Sequence, residues 1–204
     1  MSVDLEPAED GARFGLGPRD GIGQHYQGDV RDFIEGDFGQ PRDWDLMIAH
    51  PECRYLSRSG LHWNKRRPGR EAETEKALAF VRWLMERDIP RIVIENPRGC
   101  ISTRLASVIM RRCFIRQSVQ PNQFGDDASK ETMLYLRNVP ELRPTLRVPG
   151  RVVEWPKGSD RMVERWNNQT DSGQNRLVPS ETRAMDRART YPGIAYAMAQ
   201  QIGG

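Results

Sequence analysis

Two short segments carry side chains that could do covalent chemistry. "AHPECRYLSRSG" (49–60) places Cys53 just after a short apolar run, and "IENPRG" (94–99) places Glu95 after another. A thiolate is a strong nucleophile, and a neighbouring carboxyl group can exchange a proton. Because ligands bind beyond the carboxyl ends of strands in open α/β sheets, these segments predict one pocket with a nucleophile beside an acid.

Structural interpretations of the same residues stay open. Cys53 could be an inert buried thiol, and Glu95 could cap a helix or form an ion pair. His50, with His62 further along the chain, could ligate zinc, although structural zinc sites normally cluster four ligands.

The elements that must position these residues follow from the apolar pattern. Four runs have the length of strands: 46–49, 91–94, 115–120 and 132–137. Two segments have helical periodicity: 71–88, with Ala77, Val81, Leu84 and Met85 on one face, and 102–113, with Ser102 as N-cap. Strands that alternate with helices predict an α/β fold with a mostly parallel sheet and flanking helices.

The rest of the chain divides by composition. Residues 1–137 hold the predicted α/β core, and the proline-rich, charged stretch 138–179 predicts a small loop-rich insertion. Residues 180–204 return to helix, with Ser180 as a cap and Pro192 at a first turn.

Composition limits the class of protein. The chain has 204 residues, of which 37% are hydrophobic and 29% charged, which suits one domain with a proper core. No apolar run approaches the roughly 18 residues of a membrane span, and the acidic N-terminus has no signal-peptide core. An odd number of cysteines does not describe a disulfide framework, so we expect a reducing cytoplasm and packing roles for Cys100 and Cys113.

The distribution of charge is more informative than its sum. The net charge is only +3, yet "HWNKRRPGR" (62–70) gathers cations beside an aromatic ring and a proline. Such a run is either a solvated loop or a contact to nucleic-acid phosphates.

Four segments together resemble the cytosine-5 DNA methyltransferases. "HPECRYLSRSG" resembles the family's Pro-Cys motif, and "IENPRG" resembles its Glu-Asn-Val motif. "NQFGDDASKETMLYL" (122–136) falls where the family has an aromatic-Gly turn, Gln-Arg-Arg and a strand, and "TYPGIAYAMAQQI" (190–202) resembles its closing motif. The four come in the family's order. "HYQGDVRDF", "WDLMIAHP" and "IENP" are most similar to a small bacteriophage-encoded branch.

The resemblance implies a Rossmann-like, methyltransferase-type fold and a specific reaction. The Cys53 thiolate would add to C6 of a cytosine rotated out of its helix, while Glu95 holds or protonates N3. The C5 atom would then take a methyl group from S-adenosylmethionine. Lys130, in place of the family's arginines, would contact a phosphate or the base.

Further positions take roles from the same resemblance. Asp4 and Asp29 would bind the cofactor. The predicted substrate contacts are His50, Pro51, Arg54, Ser57, Lys65, Arg66, Arg67, Asn96 and Pro97. The implied partner is DNA or a pyrimidine nucleotide in the cytoplasm of a bacterial host.

The sequence departs from the family in three places. "SVDLEPAED" resembles the family's second strand, and "FGLGPRDGIG" (14–23) has neither a strand before it nor a helix after it. The first strand and first helix thus look missing, which undermines cofactor binding. Glu52 beside Cys53 disfavours the thiolate. Residues 138–179 are few for a domain that reads bases in the major groove.

Two hypotheses follow. The chain is a cytosine-5 methyltransferase-like enzyme of low sequence specificity, or a degenerate relative that binds DNA or a pyrimidine nucleotide without methylating it. Cys53 and Glu95 favour the first, and the missing glycine-rich turn favours the second. A missing first strand would also expose a sheet edge that a second copy could cover, so a homodimer is predicted as an option.

Overall fold

A computed structural model describes residues 2–5, 25–35, 44–177 and 190–203. These residues belong to two compact units that divide between Asp45 and Leu46. In the first unit, β1 (Ser2–Asp4) pairs in parallel with β2 (His25–Gln27), and α1 (Val30–Glu35) follows. No helix in the described part of the chain is long and apolar enough to cross a membrane.

The second unit contains a four-stranded sheet with the order β3-β4-β6-β5. Its strands are β3 (Leu46–Ala49), β4 (Arg91–Pro97), β5 (Ile115–Val119) and β6 (Thr132–Arg137). β3 and β4 are parallel, whereas β6 is antiparallel to both β4 and β5. The fold is therefore mixed α/β, and the prediction of a mostly parallel sheet is wrong. After β5 the chain runs through the connection 120–131, turns back, and places β6 between β4 and β5.

Helices flank the sheet. They are α2 (Arg58–Leu61), α3 (Arg70–Met85), α4 (Ile101–Arg104), α5 (Ala106–Arg111) and α6 (Pro192–Gln201). The predicted helix over 71–88 is confirmed as α3, although Leu78 is buried on its inner face and Ala77 is only half-buried. The predicted helix over 102–113 is two helices that break at Leu105. Ser102 does not cap it, because Ser102 lies inside α4, whose N-cap is Cys100. The hydroxyl of Ser102 lies 2.8 Å from the hydroxyl of Tyr135 on β6.

One face of the sheet packs against α6. Val93, Leu134 and Leu136 alternate with residues of the opposite face and belong to one buried cluster with residues of α6: Ile194, Ala197 and Met198. The prediction that Pro192 opens the closing helix is confirmed, whereas the predicted cap Ser180 lies outside the described residues.

The segment 138–177 forms its own two-stranded sheet. β7 (Arg151–Glu154) pairs antiparallel with β8 (Met162–Arg165), and neither strand joins the four-stranded sheet. The division of the chain at 137 and 179 stays a prediction.

Candidate active site

Glu95 and Asn96 lie inside β4 rather than beyond its end. The sequence predicts that the strand stops at Ile94, but pairing with β6 extends it to Pro97, opposite Thr132. A local apolar pattern does not reveal an antiparallel partner strand that lies further along the chain. Proline ends the strand because it has no N–H to donate. Since side chains alternate along a strand, Glu95 and Asn96 point to opposite faces of the sheet.

Glu95 lies on the face that packs against α6, and its carboxyl group is held by His50. Its side chain is only 6% exposed, and Oε2 lies 3.1 Å from Nδ1 of His50. The hydroxyl of Thr190 lies 3.4 Å from the same nitrogen. The His50 side chain is 45% exposed, so a half-exposed ring is bonded to a buried carboxyl group.

Asn96 fixes the start of the cysteine loop from the other face. Its Nδ2 donates to the carbonyl of Pro51 at 2.8 Å, which ties the end of β4 to the residues after β3. Asn96 is 1% exposed, and its Oδ1 is buried with no hydrogen-bond partner among the described residues. A buried amide in this position is costly to disturb, because an unsatisfied buried polar group destabilises a protein by about 1–3 kcal/mol.

Cys53 stands at the beginning of a tight turn. It is half-buried, and its carbonyl accepts hydrogen bonds from the amides of Leu56 at 3.1 Å and Ser57 at 2.9 Å. The turn packs against the connection after β4, where the amide of Cys100 donates to the carbonyl of Leu56. A Cβ at Gly99 would lie 1.8 Å from that carbonyl oxygen, so only glycine fits there. The turn that presents Cys53 is thus attached to the strand that carries Glu95.

Lys130 is placed beside the same end of the sheet. Its Nζ lies 5.9 Å from the ring centroid of Tyr191, which directly follows Thr190. The hydroxyl of Tyr191 accepts from the amide of Asn168 at 3.3 Å, and burial raises the pKa of Tyr191. The sequence does not single out Thr190 and Tyr191 as site residues, although they belong to the segment that resembles the closing motif. Asn168 gives no signal in the sequence.

The cation-rich run 62–70, called the basic loop from here on, has two kinds of cation. Arg70 donates to the carbonyl of Arg54 at 3.0 Å and stacks on the ring of Tyr55, so Arg70 helps to build the loop. Arg67 stacks on the half-exposed Trp63, with 4.7 Å between the guanidinium carbon and the ring centroid. Two further cations of the loop are exposed: Lys65 and Arg66. The cations that the loop presents on its surface are therefore Lys65, Arg66 and Arg67.

Ser57, a predicted substrate contact, stabilises the local structure of the loop. The hydroxyl of Ser57 accepts from the amide of Gly60 at 3.4 Å and caps α2, and Ser57 is buried. Its role in binding a substrate stays a prediction, as do those of Pro51, Arg54 and Pro97.

A shallow depression of about 500 Å³ lies beside the basic loop. Its lining residues are Leu61, His62, Asn64, Lys65, Glu71, Cys100, Thr103 and Arg104. Arg104 is paired with Glu71 and with Glu75, so the positive charge of this depression is largely balanced. Neither Cys53 nor Glu95 lines it, so the depression does not define the candidate site.

The residues predicted to bind the cofactor lie in the first unit. Asp29 precedes α1, and its Oδ1 accepts from the amide of Arg31 at 2.8 Å. The Arg31 guanidinium lies 2.6 Å from Oδ2 and also bonds to Oδ1, which lowers the pKa of Asp29. Asp4 ends β1, and its carbonyl accepts from the amide of Gly28 at 2.7 Å. The glycine-containing segment 14–23 lies outside the described residues.

Metal binding gains no support in the described ranges. They contain no group of three or more His, Cys, Asp and Glu side chains arranged to hold a metal ion. The zinc interpretation of His50 and His62 therefore has no third ligand there.

Comparisons with known proteins give only distant likenesses. No family model and no curated protein matches the chain. Among solved structures, a protein from an Escherichia coli prophage, described as a DNA modification methyltransferase, is 14% identical with a TM-score of 0.37. The match covers 62% of this chain and 39% of that one. EhMeth, a methyltransferase of Entamoeba histolytica, is 15% identical with a TM-score of 0.33, over 52% of this chain and 37% of that one.

The chain thus spans about two fifths of the length of these two structures. At such TM-scores neither likeness assigns an activity to this chain.

Proposed function

We propose that the protein is a methyltransferase-like enzyme that activates C5 of a cytosine through a covalent adduct between Cys53 and C6. One observation carries the proposal. The buried carboxyl group of Glu95 is bonded to His50, and His50 begins the loop that presents Cys53. A nucleophile and an acid are thereby attached to two neighbouring parallel strands, β3 and β4.

The chemistry of the adduct assigns a task to each residue. The Cys53 thiolate forms a bond to C6, and the electron pair of the C5–C6 double bond forms a C4–C5 double bond. The pair of the C4–N3 double bond then takes a proton from Glu95 at N3, which leaves an enamine with a nucleophilic C5. The nucleophilic C5 then accepts an electrophile. Return of the N3 proton to Glu95, followed by loss of the proton at C5 and of the thiolate at C6, restores the aromatic ring and the acid. The cation of Lys130 contributes attraction for a phosphate near this end of the sheet.

S-adenosylmethionine would supply a methyl group as the electrophile. Of the two residues predicted to bind it, Asp29 has both carboxylate oxygens bonded to Arg31. A ribose hydroxyl would have to compete with a charged bidentate pair. We therefore derive the activation of the base from Cys53 and Glu95 alone.

Trapping with a fluorinated base tests the proposal. After methyl transfer to 5-fluorocytosine, no proton remains at C5, so the adduct cannot break down. Intact mass spectrometry should show protein plus oligonucleotide plus methyl group. Cys53→Ser should abolish the adduct, Glu95→Gln should slow its formation strongly, and the matched control Cys113→Ser should change nothing. An adduct without added methyl donor would mean that the site activates the base but does not use the donor. A folded protein that binds DNA but forms no adduct, with or without S-adenosylmethionine, would contradict the proposal.

The engaged carboxylate of Asp29 favours a second candidate, a protein that binds DNA or a pyrimidine nucleotide without methylating it. Titration with S-adenosylmethionine separates the two. Ligand at a hundredfold its dissociation constant stabilises a protein by about 2.7 kcal/mol, which a thermal unfolding experiment detects. Absence of any shift at millimolar ligand supports the binding protein.

The oligomeric state stays a prediction as well. In the second unit taken by itself, β3 is an edge strand, and Ile48 on it is 37% exposed. Sedimentation of the full chain would show whether a second copy covers this edge.

A further inference from the structure

The position of His50 follows from the register of the sheet. In the parallel pair β3–β4, Ala49 is opposite Ile94. The next residue on each strand is His50 and Glu95, so continued register brings these two side chains together. The residue before a proline is biased toward extended backbone, and Pro51 therefore keeps His50 in line with β3. The bond from Asn96 to the carbonyl of Pro51 holds this arrangement from the opposite face.

The contact between His50 and Glu95 uses one carboxylate oxygen. Nδ1 lies 3.1 Å from Oε2 of Glu95 and 3.4 Å from Oγ1 of Thr190. Two oxygen atoms around one ring nitrogen suit a shared N–H donor, because a carboxyl group that gives the proton of Oε1 to N3 can only accept at Oε2. Oε2 is then a buried carbonyl oxygen that needs a donor, since a buried polar atom without a partner is destabilising.

We infer that His50 is a positioning residue, which donates from Nδ1 to Oε2 of Glu95 and thereby turns the protonated Oε1 toward N3 of the base. This inference rests on the proposed function. It replaces direct substrate contact by His50, which the sequence predicts, with an action through Glu95. A carboxyl group that is free to rotate would present the wrong oxygen for part of the time, so the rate of base activation would fall while the affinity for the oligonucleotide would not.

Exchange of the cytosine H5 for deuterium measures this activation without any cofactor. Addition of Cys53 to C6 makes C5 basic, C5 takes a deuteron from D₂O, the original proton leaves, and elimination of the thiolate returns a cytosine that is heavier by one mass unit. Mass spectrometry of the oligonucleotide gives the rate at saturating and limiting concentrations, and hence kcat and KM separately.

Two substitutions of similar polarity separate positioning from other roles. His50→Asn keeps an N–H donor at the δ position, whereas His50→Gln moves the amide one bond further out. Loss of this positioning hydrogen bond should lower kcat of His50→Gln about tenfold with KM unchanged. His50→Asn should stay within a few fold of the wild type. If both variants are equally slow, or if only KM changes, the inference is wrong.

The tautomer of the ring provides a test that does not require activity. ¹⁵N-detected correlation spectra of the free protein should show a proton on Nδ1 of His50, and Glu95→Leu should return the ring to the Nε2–H form. An Nε2–H ring in the wild type would overturn the inference. If the wild type exchanges no H5, the proposed function fails, and the tautomer still decides whether His50 donates to Glu95. Thermal unfolding shows whether each variant is folded.

Discussion

The end of the sheet and the segment 138–177 are held in place by different means. At the end of the sheet, the register of β3, β4 and β6 positions Glu95 and Asn96, and both are buried. The segment instead is attached to the connection before β6, by backbone bonds from 145–148 to 122–123 and by the side chain of Asn168. Both groups of the Asn168 amide pair with the backbone of Ser129, the acceptor at 2.9 Å and the donor at 2.9 Å. A polar substitution at the end of the sheet should therefore destabilise the whole fold, whereas one in the segment 138–177 should loosen that segment alone.

The largest effect is expected for Asn96→Asp. The substitution places a carboxylate oxygen against the carbonyl of Pro51 in a buried site, where neither group can donate to the other. We expect the free energy of unfolding to fall by about 3–5 kcal/mol, the cost of an uncompensated buried charge. Chemical denaturation measures this change.

A matched control makes this result specific to burial. Asn138 donates to the carbonyl of Pro90 at the same 2.8 Å, but on the surface. Asn138→Asp should cost less than about 1 kcal/mol, because water solvates both oxygens. Equal losses for the two variants would show that burial at Asn96 does not set the cost.

A smaller effect is expected for Asn168→Asp in the segment. The carboxylate can still accept from the amide of Ser129, but it cannot donate to the carbonyl of Ser129 or to the hydroxyl of Tyr191. We expect a loss of about 1–3 kcal/mol. Limited proteolysis should cut first within 138–177, ahead of global unfolding.

Asn175→Asp serves as the control for this variant, because the Asn175 side chain accepts from the amide of Leu177 at 2.7 Å and a carboxylate can do the same. Protease resistance equal to that of the wild type in Asn168→Asp would mean that other contacts hold the segment. One such contact is the bond from Trp166 Nε1 to the carbonyl of Val148 at 2.9 Å.

The same difference explains what could be predicted from the sequence. The bounds of β3 and β6 are as expected, since each is a short, mostly apolar run that the local pattern marks as a strand. The extension of β4 and the antiparallel placement of β6 depend on a partner that lies far along the chain, so the pattern around Glu95 could not reveal them. Cys53 and Glu95 could be proposed as site residues from their strand ends.

The contacts of Thr190 and Asn168 could not be predicted. Thr190 contacts His50, which is 140 residues away along the chain, and Asn168 contacts Ser129, which is 39 residues away. No periodic pattern records a single polar contact of this kind. Polar contacts between residues far apart in sequence are therefore the part of the candidate site that only the three-dimensional structure reveals.

The basic loop should bind nucleic acid through the exposed cations alone. Replacing Lys65, Arg66 and Arg67 with alanine should weaken binding and reduce the slope of log affinity against log salt by about one for each phosphate that is no longer neutralised. Arg70→Ala should instead lower thermal stability, because Arg70 bonds to the carbonyl of Arg54. Arg111→Ala, which removes an exposed cation paired with Glu86 on another surface, is the control. An unchanged salt slope in the triple variant would return the loop to a solvated surface.

The mildest perturbation is alkylation of the three thiols, which compares the candidate site with the rest of the chain. Cys113 is exposed, and Cys100 is buried, where desolvation raises the pKa of its thiol and keeps it protonated at neutral pH. Iodoacetamide should therefore modify Cys113 first and Cys100 last, with peptide mass spectrometry as the readout. Cys53 is half-buried and should react between them.

An oligonucleotide should slow the reaction of Cys53 and leave Cys113 unaffected, because the proposed site places only Cys53 against the base. Equal protection of both thiols would indicate a general change in accessibility, and no protection would mean that nucleic acid binds away from the end of the sheet.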